Sequence, residues 1–514
     1  MKPIRLMSGF FTVGVWTLLS RILGFVREVM ILSLIGPGPM MDAFVAAFRL
    51  PNMFRRFFAE GAFNAAFVPM FSKRLEGEDG AAEFAQNAFS GLFFVVTLLT
   101  ALGMIFMPGL VWLTAEGFSG DGRFDITVGF GRIVFPYILF MSLSALFSGI
   151  LNATGRFAVA AAAPVLLNIA VISALTFAAV TEGDAIHWLI WAIPLAGIAQ
   201  LALTWHAAAQ AGFSLRIKRP RWNTDMRDLV VIALPAALAS GVMQINLVVG
   251  QLVASQYENA VSWLFAADRL YQLPLGVVGI AVGVVLLPDL SRRLRAGDDA
   301  GAKTALSRAA EISLALTIPS AVALMVIPLT LVSILFERGA SGTDDSAAIA
   351  TAVMIYGLGL PAFVLQKIVQ PLYFAREDTR RPFYFAIIAM LINAGLAVGL
   401  APVANWLAPA IAATVAGWAM YAMLAVGARG FGDAARVDAR FRKRIWRIIA
   451  ASLLMGVALW FFNIQLSALL SLPWWRGLGL LILMVIGALV YFGSCQMLGA
   501  FKLSEFKAAM RRGR

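Results

Sequence analysis

The chain has 514 residues, of which 61% are hydrophobic and 13% charged, whereas soluble globular proteins average about 25% charged residues. A soluble fold of this length could not bury so much apolar surface, so the composition excludes that class and predicts an all-α integral membrane protein. The formal net charge of +13 would suggest a nucleic-acid partner in a soluble domain. Here the basic residues lie mostly in short connectors, so we expect no nucleic-acid binding.

Cysteine and histidine are scarce in this chain. The sequence contains one cysteine, Cys495, and two histidines, His187 and His206. A disulfide framework needs pairs of cysteines, and zinc or haem sites draw on several such ligands. The sequence therefore predicts no metal site and no cofactor.

Fourteen apolar segments, each long enough to cross a bilayer as a helix, follow one another along the chain. The first, at 8–35, is too long for a signal peptide, lacks a small-residue cleavage site, and carries Arg21 and Arg27 in its interior. The other predicted spans lie at 40–71, 86–115, 130–152, 159–181, 186–211, 228–256, 262–290, 306–336, 346–375, 383–403, 407–428, 445–464 and 474–500.

Basic residues alternate between the two sides of the predicted membrane region. Connectors that follow even-numbered spans are rich in arginine and lysine, as at 216–221, 292–295 and 440–444. Connectors that follow odd-numbered spans carry only Arg123 and Arg338, each beside acidic residues. By the positive-inside rule we expect a multi-pass protein of the bacterial inner membrane with both termini in the cytoplasm.

Two sequence matches indicate an internal duplication. The segment VPMFSKRLEGED at 68–79 resembles LPDLSRRLRAGDD at 287–299, with Pro69 matching Pro288. Further residues match at a constant offset of 225, namely Pro136 with Pro361, Thr154 with Thr379, Arg156 with Arg381 and Asn168 with Asn393. The alternative is that short basic segments at helix ends look alike by chance.

The duplication predicts two six-helix lobes in a parallel pseudo-two-fold repeat, which is a transporter architecture with cargo bound between repeats. We expect an N-lobe at 1–215 and a C-lobe at 216–430. Two further helices and a basic tail, at 431–514, lie outside the repeat.

Charged residues occur inside the predicted spans, where each costs about 2.5–3.5 kcal/mol of insertion free energy at a helix centre. The charges considered as site candidates are, in chain order, Arg21, Arg27, Glu28, Asp42, Arg49, Arg55, Arg56, Glu60, Asp268, Arg269 and Lys367. Such side chains must face a wet cavity, pair with opposite charges, or reach the interface from a helix end.

Some of these charges have a structural explanation. Asp42 and Lys367 lie near predicted helix ends, and Glu28 can neutralise the adjacent Arg27. None of these contacts requires a cargo. For Asp42 and Lys367 the structural and functional interpretations both stay open.

The second predicted span contains a cluster of basic residues. Arg56 and Glu60 are four residues apart and can neutralise each other on one helix face. Arg49 and Arg56 share one stripe of an ideal helix, but Pro51 interrupts that helix and bends it. Spacing alone therefore does not decide whether Arg55 or Arg56 faces a cavity.

Arginine is the residue type expected around a buried anion, because guanidinium stays charged and its planar fork matches phosphate oxygens. An exporter of drugs or protons would more often need intramembrane acids. Here the bases outnumber the acids, so we expect a cavity that binds an anionic, lipid-linked cargo. The strongest candidates for that role are Arg21, Arg27, Arg55 and Arg269.

Five segments resemble one known family. They are SRILGFVRE at 20–28, DAFVAAFRLPNMFRRFFAEGAFNAAFVPMF at 42–71, FPYILF at 135–140 with GILNATGRF at 149–157, and SWLFAADRLYQLPLGVVGIAVGVVLLP at 262–288. They are similar to the MurJ (MviN) family of lipid II flippases, within the MOP exporter superfamily. The resemblance covers essentially the whole chain.

The resemblance implies alternating access around a cationic central cavity, with a groove for the undecaprenyl tail formed by the last two helices. It places the substrate-binding positions of the family on Arg21, Arg27, Asp42, Arg55, Ser262 and Arg269. It thus prefers Arg55 over Arg56. It leaves Arg49, Arg56, Glu60 and Asp268 as secondary candidates. Gln272 stands where some members have glutamate, so a role for that carboxylate is in doubt here.

The resulting hypothesis is a transporter, not an enzyme. It would move lipid II, the undecaprenyl-pyrophosphate-linked disaccharide-pentapeptide, to the outer leaflet for peptidoglycan synthesis. We expect a monomer among membrane lipids, with other cell-wall synthesis proteins as candidate partners. The alternative is a flippase for another polyprenyl-pyrophosphate-linked glycan, such as an O-antigen-like unit.

Two other classes of protein fit the sequence less well. A membrane glycosyltransferase would need clustered acids near the interface. A purely structural scaffold would have no use for unneutralised buried arginines.

Overall fold

The computed structural model describes residues 6–55, 62–77, 80–281, 286–472 and 474–500. Within these ranges the chain is nearly all helix, with no β-strand. Nine helical segments in the described part of the chain are long and apolar enough to cross a membrane. One of them, Arg380–Ala435, contains two predicted spans, and the count of fourteen stays a prediction.

The chain divides into two compact units. The first comprises Met1–Ser262 with Arg338–Ser341, and the second comprises Trp263–Glu337 with Gly342–Arg514. The helices of the first unit are α1 (Leu6–Leu34), α2 (Pro39–Arg55), α3 (Ala62–Gly77), α4 (Ala81–Ile105), α5 (Met107–Ala115), α6 (Arg123–Val134), α7 (Tyr137–Ala153), α8 (Phe157–Val180), α9 (Ala185–Gln210) and α10 (Thr224–Ala254).

The second unit begins within α11 (Ala260–Ala281), whose first three residues belong to the first unit. Its other helices are α12 (Leu287–Arg295), α13 (Asp299–Val326), α14 (Pro328–Phe336), α15 (Thr343–Phe374), α16 (Arg380–Ala404), α17 (Ala408–Ala428), α18 (Ala439–Gln465), α19 (Ser467–Leu470) and α20 (Arg476–Met497).

Several helices begin at the side chain that the sequence places just before them. A side-chain oxygen at the residue before a helix can accept a hydrogen bond from a free backbone N–H of the first turn. This occurs at Asp184 for α9, Asn223 for α10, Asp298 for α13 and Asp438 for α18. These polar residues fix where the connectors end.

The core of the first unit contains a ladder of phenylalanine rings. Phe63, Phe67 and Phe71 are spaced four apart on α3, and successive ring centroids stack 5.4 Å apart. Phe84 of α4 stacks on Phe67 at 5.6 Å. Because aromatic rings bury large apolar areas and hold preferred geometries, this ladder fixes α3 against α4.

In the second unit, tyrosine hydroxyls donate across helix pairs. The Tyr373 hydroxyl donates to the Leu424 carbonyl at 2.7 Å, which links α15 to α17. The Tyr491 hydroxyl donates to the Ala315 carbonyl at 2.6 Å, which links α20 to α13. The last membrane helix thus packs on the body of its own unit.

Candidate functional site

Arg27 lies on α1 and is held by two polar neighbours. One guanidinium nitrogen donates to the Asn168 side-chain oxygen at 2.9 Å, and another contacts the Glu28 carboxylate at 2.5 Å. Asn168 lies on α8 and donates in turn to the Ser20 carbonyl at 2.9 Å. Glu28 and Asn168 are only 4% and 5% exposed. Contacts within the first unit therefore hold the Arg27 side chain in one orientation.

Asn168 was identified from the sequence only as a repeat position. Its counterpart Asn393 lies on α16 and is also buried. No sequence pattern indicated that Asn168 contacts Arg27, because the two residues are 141 positions apart. A buried polar side chain in an otherwise apolar span was the only clue.

The other arginines of the first unit lie in different environments. Arg21 is exposed on α1 and forms no ion pair with a described residue. Arg55 is half-buried at the last residue of α2. Arg49 is half-buried one to two turns earlier, and its guanidinium donates to the Leu247 carbonyl of α10 at 3.4 Å.

Asp42 is completely buried in the first turn of α2. Its carboxylate accepts hydrogen bonds from the Ser262 N–H at 2.8 Å and from the Ser262 hydroxyl. Its second oxygen pairs with the Arg123 guanidinium at 3.1 Å. Asp42 and Ser262 were expected together in the site, and the structure joins them directly to each other.

Arg123 is the residue that the sequence analysis left in a connector. It begins α6, is 5% exposed, and lies 4.4 Å over the Phe118 ring. Besides Asp42 it contacts Asp121 at 2.7 Å, and its hydrogen bonds hold the pKa of the Asp121 carboxyl below the usual value. It also donates to the Ser255 and Tyr257 carbonyls. The adjacent acid was visible in the sequence, whereas the distant one, Asp42, was not.

Arg269 lies on α11 in the second unit. Its guanidinium carbon is 4.4 Å from the centroid of the Phe265 ring, one helical turn earlier. A cation held over a ring face keeps its charge, and the guanidinium group keeps the planar geometry that matches phosphate oxygens. Asp268, the adjacent residue, accepts a hydrogen bond from the Gln272 amide.

Of the remaining predicted charges, the structure describes Lys367 but not Arg56 and Glu60. Lys367 is exposed on α15. Arg56 and Glu60 lie outside the described residues. In the described ranges no group of three or more His, Cys, Asp or Glu side chains is arranged to hold a metal ion.

The sequence analysis missed a buried ion network in the second unit. Glu311 of α13 is 2% exposed and contacts Arg444 at 2.5 Å, Arg308 at 2.8 Å and Arg440 at 3.5 Å. Asp438 contacts Arg308 at 3.0 Å from its position before α18. An acid inside the ninth predicted span, and bases four apart at the start of α18, were the available signals. The network fastens α18 to α13.

Comparison with known proteins gives consistent results. The family model described as lipid II flippase MurJ matches residues 31–477. A probable lipid II flippase MurJ of Rhizobium tropici is 42% identical, over 99% of this chain and 98% of its own length. The lipid II flippase MurJ of Burkholderia cenocepacia is 30% identical, over 98% of this chain and 99% of its own length.

Solved structures match the fold. A lipid II flippase MurJ in an inward closed conformation superposes with a TM-score of 0.78 at 24% identity, covering 94% of this chain and 98% of its own. An inward-facing multidrug resistance MATE transporter of the MOP superfamily superposes with a TM-score of 0.68 at 16% identity, covering 84% of this chain and 95% of its own. An outward-facing multidrug resistance MATE transporter superposes with a TM-score of 0.58, covering 85% of this chain and 99% of its own. The prediction of an all-α membrane protein with the MOP exporter fold is confirmed.

Proposed function

Because the chain belongs to the MurJ family of lipid II flippases, we propose that it moves lipid II from the inner to the outer leaflet of the bacterial inner membrane. The cargo would be the undecaprenyl-pyrophosphate-linked disaccharide-pentapeptide used in peptidoglycan synthesis. The observation that carries this proposal is the environment of Arg27, a half-buried guanidinium held on a membrane helix by Asn168 and Glu28. Membership of this family makes the protein a transporter, not an enzyme.

The proposed ligands of the pyrophosphate are Arg21, Arg27, Arg55 and Arg269. An arginine at a helix centre costs about 2.5–3.5 kcal/mol of insertion free energy, and a bound anion can offset that cost. Arg27 is oriented by its neighbours, so less side-chain entropy is lost on binding. The exposed Arg21 and the ring-supported Arg269 each carry a guanidinium group whose planar geometry matches phosphate oxygens.

We propose that Asp42 and Ser262 act on the cargo by positioning, since each satisfies the other and neither is exposed. The aspartate fixes the first turn of α11, the helix that bears Arg269 about two turns further on. Arg49 and Asp268 would support the site indirectly, since each side chain has a hydrogen-bond partner on a helix of the described chain. Arg56 and Glu60 keep the secondary role that the sequence predicts.

Transport would follow alternating access of an N-lobe at 1–215 and a C-lobe at 216–430. The last segment, 431–514, would provide the groove for the lipid tail. Solved relatives of this fold in inward-facing and outward-facing conformations support such a cycle. Both termini would lie in the cytoplasm, as the basic connectors favour. The protein would act as a monomer, with other cell-wall synthesis proteins as candidate partners.

The test is export of labelled lipid II to the outer leaflet. We expect Arg27→Ala and Arg269→Ala to abolish export at normal protein levels. The matched control is Arg132→Ala, which removes an exposed arginine of α6 that donates to the Met104 carbonyl at 3.2 Å. Normal export by the first two variants would refute the proposed ligands.

Depletion of the protein separates the two possible cargoes. Accumulation of lipid II followed by lysis supports the proposal. Loss of surface polysaccharide alone, with normal lipid II turnover, would assign the protein to another polyprenyl-pyrophosphate-linked glycan instead.

A further inference from the structure

An apolar groove lies between α4 and α10 in the first unit, and no arginine of the proposed cargo site lines it. It has a volume of about 500 Å³. Phe94 and Val95 of α4 and Val230 and Leu234 of α10 line it, and all four side chains are at least 40% exposed. A groove of this kind on a membrane helix pair is open to the hydrocarbon of the bilayer.

One end of the groove is basic and aromatic. Arg221 and Trp222 contribute to its lining, and Trp222 is 74% exposed. The connector that precedes α10 carries Arg216, Lys218 and Arg219 as well, and no acidic residue lies between 211 and 223. None of the bases of this connector forms an ion pair with a described residue. By contrast, nearby Arg74 forms an ion pair with Asp225 at 2.5 Å.

The basic connector is fixed to the helices that form the groove. The Gln86 side chain of α4 donates to the Arg216 carbonyl at 2.5 Å and accepts from the Arg216 N–H at 3.0 Å. At the other end, the Asn223 side chain accepts from the Met226 N–H at 3.0 Å and caps α10. Arg221 and Trp222 are therefore held at the mouth of the groove between two anchored points.

The length of the groove fits one leaflet. From Met226 to Leu234 the lining of α10 extends over nine residues, which is about 12 Å at the helical rise. Half of the hydrocarbon core is about 15 Å thick. Tryptophan favours the boundary between hydrocarbon and headgroups, where Trp222 would then lie.

We propose that this groove binds an anionic phospholipid, with one acyl chain between α4 and α10 and its phosphate at Arg221. The unpaired bases of the connector complement the negative headgroup, and the apolar lining complements the chain. Such a lipid bridges two helices of the first unit and adds contacts between them. This site is independent of the proposed transport of lipid II, because none of its residues belongs to the proposed cargo site.

The test measures lipid retained by the full-length purified protein in native mass spectrometry, with phosphatidylglycerol and phosphatidylcholine as probes. We expect phosphatidylglycerol to bind at least tenfold more tightly. The variant Lys218→Gln/Arg219→Gln/Arg221→Gln should lose that preference. The matched control, Arg429→Gln/Arg442→Gln/Lys443→Gln, removes the same charge from exposed positions and should keep it.

A second variant tests the apolar part. Val230→Trp fills the groove from its exposed side, so the packing beneath stays intact, and it should also release the lipid. Unchanged phosphatidylglycerol binding in both variants, or equal binding of phosphatidylcholine, would overturn the proposal. Displacement by glycerol phosphate would assign the basic mouth to a free phosphate, and displacement by undecaprenyl phosphate would assign the groove to a prenyl chain.

Discussion

The Asp42 carboxylate in the first turn of α2 accepts hydrogen bonds from the N–H and the hydroxyl of Ser262, 220 residues further along the chain. Ser262 is the third residue of α11, so a residue from a distant helix satisfies one of its free N–H groups. A carboxylate at this end also interacts favourably with the helix dipole. The first prediction follows from this contact.

Replacing Asp42 by asparagine should destabilise the protein. The substitution removes the negative charge that pairs with buried Arg123, although Asp121 still contacts that guanidinium. Breaking a buried ion pair costs about 3–5 kcal/mol of unfolding free energy, and we expect the lower end here. Thermal melting of the purified protein in detergent measures this loss of stability. Asp344→Asn, at an exposed position in the first turn of α15, is the control. Equal melting temperatures for both would contradict the prediction.

Asn168 should matter for transport through the oxygen that accepts from Arg27. Asn168→Ala removes that acceptor and the donor to the Ser20 carbonyl, whereas Asn168→Asp keeps an acceptor and loses the donor. Losing a buried hydrogen-bond partner costs about 1–3 kcal/mol, which corresponds to a fall in lipid II export of about fivefold to 150-fold. We expect the alanine variant to show that fall and the aspartate variant to retain more export. If both variants fail equally, Asn168 serves the Ser20 contact instead.

The ring of Phe265 should support binding through Arg269. A cation–π contact contributes about 0.5–2 kcal/mol, so Phe265→Leu should weaken lipid II binding by about twofold to thirtyfold. Phe265→Tyr keeps the ring face and should bind almost normally. Titration of labelled lipid II into the reconstituted protein compares the two. A leucine variant as tight as the tyrosine variant would remove the ring from the proposed site.

Glu311 should stabilise the attachment of α18. Glu311→Gln leaves Arg308 and Arg444 without their buried acid, so we expect a loss of about 3–5 kcal/mol in unfolding free energy. The double variant Glu311→Gln/Arg444→Gln removes one of the stranded charges. It should recover part of the loss, because residues in direct contact couple by about 0.5–3 kcal/mol. Additive losses in thermal melting would show that the contact contributes nothing.

Membrane insertion was readable from the sequence, because apolar runs of helical length have a single stable outcome in a bilayer. The segment Arg380–Ala435 illustrates this, since it contains two predicted spans. The positions where helices begin also depend on residues close in sequence. Asn223 and Asp438 cap α10 and α18 by accepting hydrogen bonds from backbone N–H groups three residues later. The partners of the buried charges were not local. Glu311 meets Arg444 across 133 positions, and no spacing rule reaches that far.

The sequence alone singled out the arginines as candidate site residues, because their charge persists in any environment and its cost inside a membrane demands an explanation. The family resemblance added Asp42 and Ser262 to that prediction. Only the tertiary structure decided which groups each charge contacts. Arg27 contacts Asn168 and Asp42 contacts Arg123 because a buried polar group needs a partner, and the packing of the helices decides which partner lies within reach.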